Sequence, residues 1–254
     1  MDMRPLGSTG ISVSLLGLGT VKLGRNAGVK YPQGFDLPDD GAVVTLLETA
    51  RDLGINLLDT APAYGLSEQR LGQLRPGKRE DWVIATKAGE SFQNGVSRFD
   101  FSAPAIRASV ENSLRLLRTE YLDAVLLHSD GIDETGDRFL PAAEMLALLK
   151  QQGLIRATGF SGKTAAGGER MLPLVDILMA AYNPDYTDEA PLIARAGREG
   201  RGVLVKKALA SGHAADLAAA LRAAATLPGV CSIVVGTLSP ANLRANAAAL
   251  EARP

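Results

Sequence analysis

Eight short runs rich in aliphatic and β-branched residues alternate with longer helix-like segments along the whole chain. This alternation is typical of repeated β-α units, which build a parallel sheet. Eight such units in 254 residues are enough to close one (β/α)8 barrel of the α/β class. The predicted strands are residues 15–20, 55–59, 82–87, 122–128, 156–161, 177–182, 202–206 and 231–235.

A helix is predicted after each strand, and the segment before the first strand predicts a β-hairpin. Residues 4–14 place a glycine-bounded turn between two short alternating runs, which we expect to cap the amino-terminal mouth of the barrel. Ser102 and Ser239 offer N-cap side chains just before Pro104 and Pro240. The predicted helices are residues 41–53, 67–74, 104–117, 141–152, 165–172, 190–199, 214–226 and 240–252.

No linker, low-complexity tract or repeated block interrupts the pattern, so we predict one barrel domain over residues 1–254. Two stretches read as irregular, residues 22–39 and 89–100, and both follow strands. Loops after the strands of such a barrel carry the active site. We therefore expect both stretches to border a functional site.

Charge and cysteine content exclude several classes of protein. Twenty-seven basic and 28 acidic side chains leave a net charge of −1, which favours neither nucleic acid nor an anionic membrane. Cys231 is the only cysteine, so no internal disulfide can form. The first residues have no apolar run behind their positive charge, and no run of about 18 apolar residues occurs in the sequence. We expect a cytoplasmic monomer that acts on a small molecule.

Four reactive side chains are predicted to meet at the carboxyl ends of three successive strands. Asp59, Lys87 and His128 each end a predicted strand, and Tyr64 follows Asp59 by five residues. A phenol has a reference pKa of about 10, and an ammonium such as Lys87 would stabilise its phenolate. Asp59 would keep Lys87 charged, and His128 could hold a substrate oxygen through a neutral N–H. The set suits proton delivery to a carbonyl oxygen and requires no metal.

These residues lie in segments that resemble the aldo-keto reductase family. Residues 59–72 read DTAPAYGLSEQRLG, which closely resembles the signature of that family, and residues 84–87 and 121–128 resemble its lysine and histidine strands. Further similarity lies in residues 16–20, 159–161, 182–184 and 236–240, so it spans essentially the whole chain. The resemblance implies a catalytic tetrad of Asp59, Tyr64, Lys87 and His128. It also implies reduction of an aldehyde or ketone to an alcohol with NADPH, and NADH is not excluded.

The resemblance further implies that the nicotinamide cofactor lies across the carboxyl-end mouth of the barrel. Gly19 and Thr20 would lie near its ring and Ser161 near its carboxamide. Ser239 opens a helix, and the free N–H groups of a helix start attract phosphate. The residues implied to hold the adenosine phosphate end are Gly236, Thr237, Ser239, Asn242 and Asn246.

The chain departs from the family pattern at several cofactor positions. Strand seven commonly ends in an aromatic residue, whereas this chain has Lys206 and Lys207, which we interpret as contacts to the pyrophosphate. Gly162 stands where an asparagine is frequent, Met179 where a glutamine is frequent, and Asn242 where many members have an arginine for the 2′-phosphate.

The chain also ends soon after the predicted last helix, where family members often continue into a loop over the substrate. We expect a short family member whose pocket is walled instead by residues 22–39, with apolar surface from Tyr31, Pro32 and Phe35.

Two other functions remain open at this point. A cofactor-binding sensor or partner subunit with little turnover is suggested by Lys206, Gly162 and Met179. An aldolase-type barrel would use Lys87 to form a Schiff base. Asp59 and Tyr64 favour hydride transfer over the aldolase.

Overall fold

A computed structural model describes residues 1–29, 31, 33–132 and 137–251 of the chain. Eight parallel strands close into a barrel in the order β3-β4-β5-β8-β9-β10-β11-β12, and the last strand pairs with the first. All eight predicted strands are found, so the predicted barrel is confirmed. The strands are β1 (Met3–Pro5), β2 (Ser12–Ser14), β3 (Leu16–Gly19), β4 (Leu57–Asp59), β5 (Val83–Ala88), β6 (Glu90–Gln93), β7 (Val96–Phe99), β8 (Leu122–His128), β9 (Ile155–Ser161), β10 (Ile177–Ala181), β11 (Gly202–Lys206) and β12 (Ser232–Val235).

The predicted N-terminal hairpin is confirmed as the antiparallel pair β1 and β2. Its turn buries Leu6 and Ile11 in the apolar cluster inside the barrel, together with Leu57 and Leu204. Gly7 has φ +57°, and a Cβ there would lie 2.3 Å from the backbone nitrogen of Gly202. A glycine is therefore needed where the turn meets the start of β11.

The helices surround the barrel and cover the outer faces of its strands with a second apolar cluster. Ser239 caps the last helix as predicted, because its Oγ accepts from the backbone N–H of Asn242 at 3.2 Å. Ser102 occupies an N-cap position but makes no side-chain cap hydrogen bond. The helices are α1 (Asp40–Asp52), α2 (Ser67–Leu74), α3 (Ala103–Leu117), α4 (Leu140–Gln151), α5 (Ala165–Met171), α6 (Ala190–Arg198), α7 (Leu217–Thr226) and α8 (Pro240–Glu251).

Within the described residues, the predicted helix bounds agree with the structure to within one residue except at the start of α7. Helix α7 begins at Leu217 rather than at residue 214, because the Asp216 side chain accepts from the N–H of Ala219 and caps the helix there. The predicted end of the last helix, residue 252, lies outside the described residues. Within the described ranges, no helix combines the length and the apolar character needed to cross a membrane.

Residues 89–100, which we expected to be irregular, contain a second hairpin. Strands β6 and β7 pair antiparallel around Asn94 and Gly95, both of which have positive φ. Asn-Gly is a strong hairpin turn signal because both turn positions of a type I′ turn need positive φ. The hairpin follows β5 and lies beside the turn Pro62–Tyr64, so it borders the carboxyl-end mouth of the barrel.

A buried acidic residue ties three strands together near the opposite end of the barrel. Asp123 on β8 is 1% exposed and accepts from Arg79 and from Arg156, both at 2.7 Å. It also accepts from the backbone N–H of Ile84 at 2.9 Å. Replacing this carboxylate would leave Arg79, itself mostly buried, without its charge partner.

We expect Asp123→Ala to lower the free energy of unfolding by about 3 kcal/mol, because buried polar groups lose their partners. Urea denaturation of the purified variant measures the change. The control is Glu111→Ala, which removes an exposed carboxylate paired with Arg107 on α3 and should cost less than about 1 kcal/mol. Equal effects of the two substitutions would contradict the structural role of Asp123.

Candidate active site

The structure brings the four residues of the predicted tetrad together at the carboxyl end of the barrel. Asp59 ends β4, Lys87 lies near the end of β5 and His128 ends β8. The ammonium of Lys87 donates to Asp59 Oδ1 at 2.5 Å and to the carbonyl oxygen of Thr60 at 3.0 Å. Lys87 is 2% exposed and Asp59 is 4% exposed. The ion pair and the backbone hydrogen bond therefore hold the ammonium in one place, and the surrounding residues shield it from most of the solvent.

Tyr64 completes this group from a short 3-10 turn after β4. Lys87 Nζ lies 4.8 Å from the centroid of the Tyr64 ring. The Tyr64 and His128 rings meet edge to face, with centroids 6.3 Å apart. Pro62 begins the turn, and Gly65 ends it with φ +61°. A Cβ at Gly65 would lie 2.2 Å from the carbonyl oxygen of Gly24, so only glycine lets the two loops pack this closely.

Burial dominates the protonation of Tyr64. It raises the pKa of the phenol, while the positive charge of Lys87 acts in the opposite direction. Lys87 thus acts on the phenol in the direction we expected, because it favours the phenolate, but desolvation outweighs the ammonium and the net pKa is raised. Burial also disfavours the charge on Lys87, but Asp59 and Tyr64 raise its pKa overall. The site thus holds a protonated phenol beside a charged ammonium.

His128 contacts a carboxylate that the sequence interpretation did not identify. Its Nδ1 lies 2.7 Å from Glu90 Oε2, without the alignment of a hydrogen bond. Ser97 donates to the other oxygen of Glu90 at 2.6 Å. Burial opposes the ionisation of Glu90, but contacts with His128 and Ser97 outweigh it and lower its pKa to about 2. The Asn-Gly turn of the hairpin was the signal that could have revealed Glu90.

The pKa of His128 is lowered, mainly by burial and further by the positive charges of Lys87 and Lys206, while Glu90 acts in the opposite direction. The imidazole is therefore neutral near pH 7.

Thr20 lies beneath the mouth, and its hydroxyl is engaged within the protein. It donates to the carbonyl oxygen of Asp59 at 2.9 Å and accepts from Ser67 Oγ at 2.7 Å. Gly19 precedes it at the end of β3, and a Cβ there would lie 3.1 Å from the side chain of Val234. These contacts hold the ends of β3 and β4 in register with the start of α2.

Lys206 and Ser161 are brought together at the ends of β11 and β9. Lys206 Nζ donates to Ser161 Oγ at 3.0 Å and to the carbonyl oxygen of Gly162 at 2.5 Å. Burial lowers the pKa of Lys206 to about 8, partly offset by Glu189. A cavity of about 330 Å³ borders Lys206 and the exposed Lys207. The two lysines therefore flank a space beside the mouth.

The loop that follows β11 contains left-handed residues other than glycine. Lys207, Ala210 and Ser211 have φ of 59°, 47° and 59°. A residue other than glycine in this conformation raises the free energy of the folded state, and such strained residues are frequent at functional sites.

The residues assigned to the adenosine end surround the start of α8. Thr237 Oγ1 accepts from the N–H of Ser239 at 3.1 Å, so this hydroxyl shapes the turn into the helix. Asn246 is 7% exposed, whereas Asn242 is exposed. Gly236 lies next to the end of β3, because a Cβ there would be 3.5 Å from the carbonyl oxygen of Gly19. Their roles in cofactor binding stay predictions.

The described part of residues 22–39 reaches the same mouth through Tyr31. A Cβ at Gly236 would lie 3.2 Å from the hydroxyl of Tyr31, and Lys22 Nζ lies 4.0 Å from the Tyr31 ring centroid. Tyr31 also contacts Phe35 edge to face. Burial, with the nearby Tyr64 and Asp59, raises the pKa of Tyr31 to about 12. Pro32, which we expected in the same wall, lies outside the described residues.

Comparison with known proteins agrees with this geometry. A model of the aldo/keto reductase family matches residues 15–216. A crystal structure assigned as an aldo-keto reductase from Pseudomonas aeruginosa is 50% identical, with a TM-score of 0.88, and the match covers 98% of this chain and 93% of that one.

Two curated relatives match over part of their length. L-galactose dehydrogenase of Arabidopsis thaliana is 37% identical over 170 residues, which cover 64% of this chain and 49% of that protein. NADH-specific methylglyoxal reductase of Escherichia coli is 34% identical over 201 residues, which cover 72% of this chain and 59% of that protein. The matched segment thus spans about half of these relatives. Since the family model matches most of the chain, this protein belongs to the aldo/keto reductase family.

Proposed function

We propose that the protein is an NADPH-dependent oxidoreductase that reduces an aldehyde or ketone to an alcohol by hydride transfer, with Tyr64 as proton donor. The observation that carries this proposal is the buried ion pair of Lys87 and Asp59, with the ring of Tyr64 placed 4.8 Å from the ammonium. We further propose that it acts as a monomer of one domain, residues 1–254, on small carbonyl compounds.

The residues at the mouth fit a nicotinamide cofactor. Lys206 and Lys207 present positive charge beside a cavity of about 330 Å³, as a pyrophosphate would require. The positive end of the α8 dipole would attract a phosphate, and Thr237 and Ser239 already hold the N–H groups of Ser239 and Asn242 in the turn at that end. Bound NADPH or NADH would supply the hydride. The residues that would hold it are Gly19, Thr20, Ser161, Lys206, Lys207, Gly236, Thr237, Ser239, Asn242 and Asn246.

Side chains of the protein would supply the proton that the carbonyl oxygen needs. Burial keeps the phenol of Tyr64 protonated, so it can donate to the carbonyl oxygen as negative charge develops there. The ammonium of Lys87 would stabilise the phenolate that remains. Asp59 keeps that ammonium charged and in place. His128 is the second side chain able to hold the substrate oxygen.

Purified protein should oxidise NADPH in the presence of a reactive aromatic aldehyde or a dicarbonyl compound. One relative is named a reductase and another a dehydrogenase, so the assay should also follow NADP⁺ or NAD⁺ reduction by the alcohols. A fluorescence titration of NADPH against NADH decides the cofactor. No turnover in either direction would refute the proposal.

A cofactor-binding sensor with little turnover is the second candidate. The observation that favours it is Lys206, which occupies the end of β11 where family members commonly place an aromatic residue. Tight NADPH binding without turnover across a broad panel of carbonyls would support this candidate. An aldolase is disfavoured, since a Schiff-base lysine must be neutral and the pKa of Lys87 is raised. Borohydride should therefore trap no substrate on Lys87.

Cofactor affinity should depend on the charge of Lys206. Its pKa of about 8 means that the ammonium is present below pH 8 and is lost above it. We therefore expect NADPH binding to weaken as the pH rises from 7 to 9.5. Lys206→Met should weaken binding about tenfold at pH 7 and flatten the pH dependence. A fluorescence titration across this range measures both effects.

The control is Lys78→Met, which removes an exposed lysine from the loop before β5, away from the mouth. It should bind NADPH as the wild type does. If Lys206→Met keeps the wild-type affinity and pH profile, Lys206 does not contact the phosphates.

A further inference from the structure

The turn that carries Tyr64 is closed at its base by two buried hydroxyl groups. The 3-10 turn Pro62–Tyr64 follows the end of β4 and precedes Ser67, the first residue of α2. Thr60 before the turn and Ser67 after it are both fully buried, and their hydroxyl oxygens lie 3.1 Å apart. The two ends of the turn are therefore bonded to each other through side chains.

The directions of the hydrogen bonds at this base follow from counting protons. The Thr20 hydroxyl donates to the carbonyl oxygen of Asp59 at 2.9 Å, since a carbonyl can only accept. Its single proton is then used, so Thr20 accepts from Ser67 Oγ at 2.7 Å. The proton of Ser67 is used in turn, so Thr60 is the donor in its contact with Ser67. The three buried hydroxyls thus form one directed chain that ends on the main chain of Asp59.

This chain of hydroxyls holds the main chain in place and does not carry a proton to the substrate. It ends on a carbonyl oxygen, which has no proton to pass on, and its three members are fully buried. The carbonyl oxygen of Thr60 also accepts from the ammonium of Lys87 at 3.0 Å. The base of the turn is thus bonded to the same ammonium that lies over the ring of Tyr64.

The loop after β3 covers the turn from the other side. The carbonyl oxygen of Gly24 accepts from the N–H of Leu66 at 3.3 Å, and a Cβ at Gly24 would lie 2.2 Å from the backbone nitrogen of Ser67. Arg25 Nη1 donates to the carbonyl oxygen of Ala63 at 3.0 Å. These contacts act on the main chain of the turn and of the residues after it. The side chain of Ser67 adds the bonds from below, to the ends of β3 and β4.

We propose that Ser67 is a positioning residue, whose hydrogen bonds fix the loop that carries Tyr64 and so hold the phenol beside Lys87. The proposal deepens the function proposed above and rests on it for its catalytic meaning. Proton transfer requires a donor within hydrogen-bond reach, and a displacement of about 1 Å costs on the order of 10²-fold in rate. A side chain that fixes the donor therefore acts on kcat rather than on substrate binding.

Ser67→Ala tests the proposal, because alanine is tolerated at a helix start and lacks only the hydroxyl. We expect kcat for carbonyl reduction with NADPH to fall by about tenfold or more, because the phenol is no longer held in place. KM for the carbonyl compound should change by less than about threefold. Steady-state kinetics measure both values. A Ser67→Ala enzyme with the wild-type kcat overturns the proposal.

Ser14→Ala is the matched control for the loss of a buried hydroxyl. Ser14 is also fully buried, donates to the carbonyl oxygen of Leu16 at 2.6 Å and accepts from the N–H of Asn56 at 3.1 Å. It ends β2, before the start of the first barrel strand and away from the mouth. Ser14→Ala should lower the urea midpoint about as much as Ser67→Ala does and should keep kcat within about twofold of the wild type. Similar losses of kcat in the two variants would assign the effect of Ser67 to stability and overturn the proposal.

The double variant Ser67→Ala with Tyr64→Phe identifies the group on which Ser67 acts. If Ser67 acts by placing the phenol hydroxyl, its loss has no further effect once that hydroxyl is gone. The double variant should therefore react within about twofold of Tyr64→Phe. A further loss of about tenfold would show that Ser67 acts on another group, which also overturns the proposal.

Carbon-13 NMR of labelled tyrosine follows Tyr64 without turnover. The chain has five tyrosines, and the variants Tyr64→Phe and Tyr121→Phe assign the signals of these two residues. Ser67→Ala should shift or broaden the Tyr64 signal and leave that of Tyr121, whereas Ser14→Ala should leave both. An unchanged Tyr64 signal in Ser67→Ala overturns the proposal. If no carbonyl compound reacts even with the wild type, the reductase proposal fails, while this signal still decides whether Ser67 positions Tyr64.

Discussion

Replacing Tyr64 with phenylalanine is expected to lower kcat/KM for carbonyl reduction by about 10³-fold. The substitution removes the only proton that the phenol can donate while leaving the ring that packs against His128 and Lys87. General acid catalysis contributes on the order of 10² to 10⁴ to such a rate. Steady-state kinetics with NADPH and an aromatic aldehyde measure the loss, and a fluorescence titration should show unchanged cofactor binding.

Tyr121→Phe is the matched control for this experiment. Tyr121 lies just before β8, at the other end of the barrel, with its ring against Arg79. Its loss of a hydroxyl should change kcat/KM less than about twofold. A Tyr64→Phe enzyme that keeps a tenth or more of the wild-type rate would exclude Tyr64 as the proton donor.

Lys87→Met is expected to abolish carbonyl reduction and to lower the free energy of unfolding by about 3 to 5 kcal/mol. The substitution leaves Asp59 with a buried charge and no partner, and breaking a buried pair from one side costs about this much. The carbonyl of Thr60 also loses its donor. Urea denaturation and steady-state kinetics measure the two effects.

The double variant Asp59→Asn with Lys87→Met separates stability from activity. Because it removes both charges together, it should recover most of the lost stability and none of the activity. The control Lys150→Met removes a largely exposed lysine paired with Asp176, and should change stability by less than about 1 kcal/mol. The single variants Lys87→Met and Asp59→Asn are measured beside the double variant. If the double variant loses as much stability as these two together, Asp59 and Lys87 are not coupled.

The barrel was predictable from the sequence because each of its strands carries a local signal. Apolar runs bounded by turns mark the strands, and capping residues such as Ser239 mark some helix starts. The start of α7 was placed three residues too early, because the cap that sets it, Asp216, was not recognised in the sequence. The hairpin β6 and β7 was missed because its strands are short, although Asn94 and Gly95 form its turn.

The site was predictable as a set of residues but not as an electrostatic environment. Strand ends of a parallel barrel meet at one mouth, so the sequence alone places Asp59, Lys87 and His128 together. The direction of the pKa shift of Tyr64 could not be predicted from the sequence. The shift depends on how deeply the phenol is buried, and residues from other parts of the chain bury it. The pairing of Lys206 with Ser161 joins side chains 45 residues apart and was equally hidden.

The sequence by itself determined the order of eight strands and the four residues at their carboxyl ends, since strand periodicity and chain order are local properties. Only the tertiary structure decided what surrounds those residues. The contact of Glu90 with His128, the net protonation of Tyr64 and the partners of Lys206 all depend on distances between separate elements. Electrostatic interactions and desolvation depend on the distances between side chains and on their burial. Closure of the barrel determines both.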